Sequence, residues 1–128
     1  MDILAALFVE NIGQRQAEGG AARIDLTGIM FSMAAPSAPP VTVSPHLIVL
    51  VRCRPDEQGQ GTLEVEFLDS AGKQVARNAQ PVMVQPGKFS RQLVKGDLAY
   101  EDYGTIEAHC HITGGNDVVV PFTLLPPA

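Results

Sequence analysis

The sequence has no tryptophan, only two tyrosines and two cysteines, and no long apolar run. Each absence removes a class of function. Sugar-binding platforms stack their ligands on aromatic rings, and five Phe with two Tyr supply few. Two cysteines cannot frame a disulfide scaffold. A helical bilayer span takes about 20 consecutive apolar residues, and the apolar start, residues 1–9, falls well short of that. That start carries an acid, Asp2, where a secretory leader carries basic residues. No leader is expected, and the cytoplasm is the expected compartment.

Basic charge is scarce as well. Nine Lys and Arg stand against 14 Asp and Glu, a formal net charge of −5. Nucleic acids and anionic membranes both bind through a basic face. The nearest approach to one here is Arg52 with Arg54. Neither nucleic acid nor membrane is expected as a partner. Charged residues make up 18% of the chain, against about 25% in ordinary domains. A surface reserved for self-association is one reason for such a deficit.

Motifs that carry chemistry are missing too. There is no Gly-x-Ser-x-Gly nucleophile elbow and no glycine-rich phosphate cradle in the sequence. No catalytic residue and no cofactor are expected, and a non-enzymatic role is favoured.

What is present is punctuation. Ten Pro and twelve Gly divide 128 residues into short β-branched runs. That spacing predicts a single all-β domain, residues 1–128, built as a two-sheet antiparallel sandwich of about seven or eight strands. Residues 2–10 read as the first strand and 11–20 as a loop. Residues 23–33 read as the second strand, with a bulge at Thr27-Gly28. Residues 34–45 hold Pro36, Pro39, Pro40 and Pro45 and read as a connection between sheets. Residues 46–54 are the most apolar run. Leu47, Ile48, Val49, Leu50 and Val51 are apolar at both parities, so both faces of that strand need cover, from the chain itself or from a partner.

Residues 62–69 alternate cleanly, and Asp69 to Lys73 has the composition of a tight turn. If 62–69 forms a hairpin with the preceding strand, Glu64 and Glu66 meet Arg52 and Arg54. Residues 74–77, 82–85 and 88–94 read as short strands, and 97–102 as a turn. Residues 103–113 alternate again, with Ile106, Ala108, Cys110 and Ile112 on one face and Glu107, His109 and His111 on the other. Gly114-Gly115-Asn116 is a hairpin turn. Residues 117–125 close the fold, with Pro121 asking for an edge or a bulge.

Two resemblances follow. Glu101-Asp102-Tyr103-Gly104-Thr105-Ile106-Glu107-Ala108-His109-Cys110 looks like the late strand of immunoglobulin-like sandwiches. Most of the chain resembles a family of uncharacterised bacterial β-sandwich proteins, a domain of unknown function. The likeness rests on the apolar N-terminal strand, on Ile24-Asp25-Leu26-Thr27-Gly28, on residues 46–54, on 62–72 with their Asp-x-x-Gly turn, on Tyr103-Gly104 and on Pro121-Phe122. It implies a fold and carries over no functional residue.

Candidate chemistry is confined to a few residues. His109 and His111 share a strand face, about 6.5–7 Å apart. Imidazoles so placed can hold one metal, with Glu107 or His46 as further ligands, or can simply be two histidines on a polar face. Cys53 and Cys110 both fall at inward positions, where an inter-sheet bridge or two buried thiols are open. Asp56, Glu57, Asp97, Glu101 and Asp102 are loop carboxylates of the kind that bind calcium or stay solvated. The favoured reading is an interaction or structural module that forms a homo-oligomer, simplest as a homodimer. Association runs through a doubly apolar strand, or by strand addition at an edge. The alternative is a metal-binding module using His109 and His111.

Overall fold

The computed structural model describes residues 1–127. Among them are eleven strands: β1 (Asp2–Gln16), β2 (Ala22–Met30), β3 (Ser32–Ala34), β4 (Val41–Val43), β5 (His46–Arg52), β6 (Gln60–Leu68), β7 (Gln74–Met83), β8 (Phe89–Lys95), β9 (Leu98–Tyr100), β10 (Gly104–Ile112) and β11 (Asp117–Leu125). No helix among the described residues is long and apolar enough to cross a membrane. The chain is all-β, in three open sheets. One has the order β2-β1-β5-β8, a second β3-β11-β10-β6-β7, and β4-β9 form a two-stranded third.

The strand count exceeds the expected seven or eight because β3, β4 and β9 are three residues each. Elements that short leave no periodic trace. The β11–β3 pair is parallel, a departure from the all-antiparallel expectation.

Alternation decides which side chains go inward. Leu47, Val49 and Val51 of β5 join one apolar cluster with Ala6 and Phe8 of β1. The second large sheet supplies Leu63, Val65 and Phe67 of β6, Ile106, Ala108 and Cys110 of β10, and Phe122 and Leu124 of β11 to the same cluster. Phe8 meets Phe122 with ring centroids 4.9 Å apart and a tilted geometry, the arrangement that aromatic pairs favour. The Tyr100 hydroxyl donates to the Phe122 carbonyl at 2.5 Å, so its one buried polar atom is satisfied.

β5 is central in its sheet, as its composition demands, with β1 and β8 on either side. It does not pair with β6. Residues 53–59 cross to the other sheet, so Arg52 and Arg54 never meet Glu64 and Glu66. They lie instead by Asp2, with Arg54 Nη2 at 3.2 Å and Arg52 Nε at 3.9 Å, while Glu64 pairs with Arg77 at 3.5 Å.

Residues 11–20 are not a loop. β1 continues to Gln16 and forms a two-stranded arm with β2, closed by a turn at Glu18–Gly20. The arm is mostly exposed and carries an Arg15–Asp25 ion pair at 2.8 Å. The expected bulge at Thr27-Gly28 is a kink: Gly28 takes φ +68°, but the register is the same on both sides. Pro121 lies where β11 has only β10 beside it, since β3 reaches only Thr123 to Leu125. The Asp69 turn forms as expected, with its side chain accepting from the Ala71 and Lys73 amides.

The crossing from β5 to β6 is held by a close backbone approach. Val84 N donates to Gly59 O at 2.8 Å, and Cys53 N to Lys88 O at 2.8 Å. Gly59 has φ +77°, and a Cβ there would stand 1.8 Å from the Val84 carbonyl oxygen. Gly72, at φ +80°, has open space around it. Gly72→Ala is expected to lower stability by about 1–2 kcal/mol, the left-handed backbone penalty alone. Gly59→Ala should lose that and the Val84 contact, a distinctly larger drop. Urea unfolding of both variants checks this, and equal losses would show that the close approach does not matter.

Candidate functional site

The outer face of the β10 sheet holds the histidines. Because Ile106, Ala108, Cys110 and Ile112 are buried, Glu107, His109 and His111 point away from the core. Register supplies their neighbours. His109 lies opposite Glu66 on β6 and Val119 on β11, and His111 opposite Glu64 and Asp117. These residues line an open depression of about 290 Å³. The two imidazoles are therefore side by side, as their spacing requires.

Each ring is already engaged. His111 Nδ1 lies 2.5 Å from Asp117 Oδ1, and His109 Nε2 lies 3.4 Å from Glu107 Oε1. A carboxylate on one ring nitrogen fixes the ring and leaves the other nitrogen for a ligand or a proton. Among the described residues no group of three His, Cys, Asp or Glu side chains converges on a metal-sized point. His46, the expected further ligand, opens β5 on the other large sheet between Val9 and Lys95. It does not join the pair. Glu107 does lie beside His109, as an ion-pair partner.

The loop carboxylates have local roles. Glu57 accepts from the Met1 ammonium and the Arg54 amide, which hold its carboxyl below the ordinary range. Asp97 accepts from Ser44 Oγ at 2.6 Å, and Asp102 from the Tyr103 amide at 2.8 Å. Glu101 and Asp102 face Asp69, Lys73 and Tyr103 across a cleft of about 370 Å³.

A second surface had no obvious motif to announce it. On the sheet of β1, β5 and β8, register places Leu7, Ile48 and Leu93 in one row. Ala5, Leu50 and Arg91 form the next, and Asp2, Arg52 and Phe89 the one beyond. Leu4 lies at the β1 irregularity beside Ala5 and is 56% exposed; Leu93 is 55% exposed. Ile48 is 1% exposed on this same outward side. It lines one depression with Ile12 of the arm, Arg91 and Leu93. The double apolar parity of residues 47–51 was the available signal, and it pointed here.

No family model matches the chain, and no curated protein matches it.

Cys53 and Cys110 are both free and buried. Burial pushes the Cys110 thiol up to about 12. Burial likewise raises the Tyr100 phenol to about 12, against a smaller lowering by its hydrogen bond with the Ile106 backbone. A thiol whose folded value is raised contributes stability that is whole below its unfolded value, about 8.5, and is lost as pH rises above it. Tyr100 adds a second loss starting from about 10. The melting temperature is therefore expected to fall steadily from pH 9 upward. Cys110→Ala should remove the earlier part of that fall, and a pH series of melts on both proteins checks it.

Proposed function

We propose that this chain is a non-enzymatic interaction or structural module that self-associates, built as an immunoglobulin-like β-sandwich and working in the cytoplasm. The sandwich reading is supported by the shared core of the two large sheets. The immunoglobulin-like reading is supported by strand order. β1-β5-β8 correspond to A-B-E of that fold, and β11-β10-β6-β7 to G-F-C-C′.

One observation carries the association reading. The outer face of β1, β5 and β8 presents Leu4, Leu93 and Phe89 around Leu50 and Ile48, with no chain segment over the exposed three. Exposed apolar side chains gathered on one sheet face mark interaction sites. The partner proposed is a second copy. Light scattering over a wide concentration range tests it: the mass should rise above that of one chain. Leu93→Lys, on an exposed position, should leave the melting temperature unchanged and weaken association at least about tenfold, or 1.4 kcal/mol. A strict monomer at every concentration removes the proposal.

The second reading is metal binding by His109 and His111, favoured by Glu66 and Glu64 standing directly opposite them. It requires the rings to turn from Glu107 and Asp117. Elemental analysis of protein purified without an affinity tag tests it. Stoichiometric metal that disappears on changing both histidines to Ala supports this reading. Protein that stays metal-free after exposure to zinc removes it.

A further inference from the structure

We propose that copies of this chain join head to tail, the outer face of β1-β5-β8 on one copy against the outer face of β11-β10-β6 on the next. The inference rests on the self-association reading and adds to it which surface meets which.

Charge is divided between the two faces. On the first face, Arg52, Arg91 and Lys95 stand against one carboxylate, Asp2. Asp2 is already held between Arg52 and Arg54. Among the described residues, Arg91 and Lys95 have no ion-pair partner. They flank the exposed Leu93 on the same side of β8, each about 6.5–7 Å from it along the strand. On the second face, Glu64, Glu66, Glu107 and Asp117 stand beside Arg77, His109 and His111. Glu66 has no ion-pair partner among the described residues. This face also has its own exposed apolar residue, Val119, 48% exposed beside His109 and two residues from Asp117. An exposed leucine between two unpaired cations thus faces a surface with an exposed valine and an unpaired carboxylate, Glu66, on the far side of His109 from it.

Self-pairing of either face lacks that match. A two-fold contact of the first face with itself brings Arg91 and Lys95 toward the same cations, with Asp2 already occupied. A two-fold contact of the second brings the unpaired Glu66 toward carboxylates already held by Arg77, His109 and His111 and offers it no free cation. Like charges placed together across an interface disfavour that pairing, and opposite ones set its register. A contact between two different faces leaves one free face at each end, so it propagates as a chain or closes as a ring.

Two exposed substitutions separate the possibilities. Leu93→Asp blocks the first face and leaves the second intact; Glu66→Lys does the reverse. Both should melt like the parent protein. By light scattering, at a concentration where the parent assembles, each variant alone is expected to be a monomer. Mixed in equal amounts they should give twice the monomer mass and nothing larger, because one intact face of each kind remains. If Glu66→Lys still dimerises alone and the mixture gains nothing, head-to-tail joining is overturned while self-association through the β1-β5-β8 face stands. If both variants stay monomeric when mixed, head-to-tail joining is likewise overturned. If the parent protein never exceeds one chain, both readings fall together.

Discussion

The contact of Phe8 with Phe122 joins the first strand to the last across the core, ring centroids 4.9 Å apart. It depends on a strict division of each strand into an inward and an outward side. Side chains alternate along a strand, so one slip of register would turn the whole apolar set outward. Among the described residues no polar or charged side chain is fully buried. The inner faces are apolar apart from Asn78 and Gln80 of β7 and Ser90 and Gln92 of β8, at the sheet edges, and recognition falls to the outer faces, arm and loops. Chemistry was moved outward by the same alternation that made the core.

That alternation was readable in the sequence for several of the longer strands, but not for all of β1 or β7. β6, β10 and β11 emerged close to their expected limits, and the Asp69 and Gly114-Gly115-Asn116 turns where their composition put them. What could not be read was pairing. Nothing in residues 46–69 distinguishes a hairpin from a crossing. The crossing is decided by Gly59 against Val84 and Cys53 against Lys88, contacts between segments far apart in sequence. Gly13 misled in the same way. It suggested a loop, but it sits in the long β1–β2 ladder opposite Asp25. Residues 74–77 and 82–85 read as two short strands, yet β7 runs unbroken from 74 to 83, with Pro81 on an edge where a missing amide breaks no ladder.

The candidate sites were legible to a similar depth. Spacing alone put His109 and His111 on one face. It could not supply Asp117, Glu64 or Glu66, which arrive through cross-strand register. The doubly apolar run at 47–51 signalled a face in need of cover, but not how much the chain would provide. Ile48 is buried within the chain, beside a depression that Ile12 of the arm also lines, while its neighbour Leu93 is exposed.

Two routes to association then remain to be weighed on physical grounds, faces and edges. The β7 and β8 edges lie next to each other, and Gln80 Nε2 donates to Gln92 Oε1 at 2.9 Å across the seam. β7 carries Pro81, and β8 carries Arg91 and Lys95 with Lys88 just before it. Proline and cations are the devices by which natural sheets discourage an added strand. On the opposite side, β3 is only three residues long and β2 belongs mostly to the arm. The β3, β7 and β8 edges are thus blunted, while Leu4 and Leu93 are left open on a face. For the self-association we propose, that contrast favours the face, because apolar side chains are open there and three of the four edges discourage an added strand.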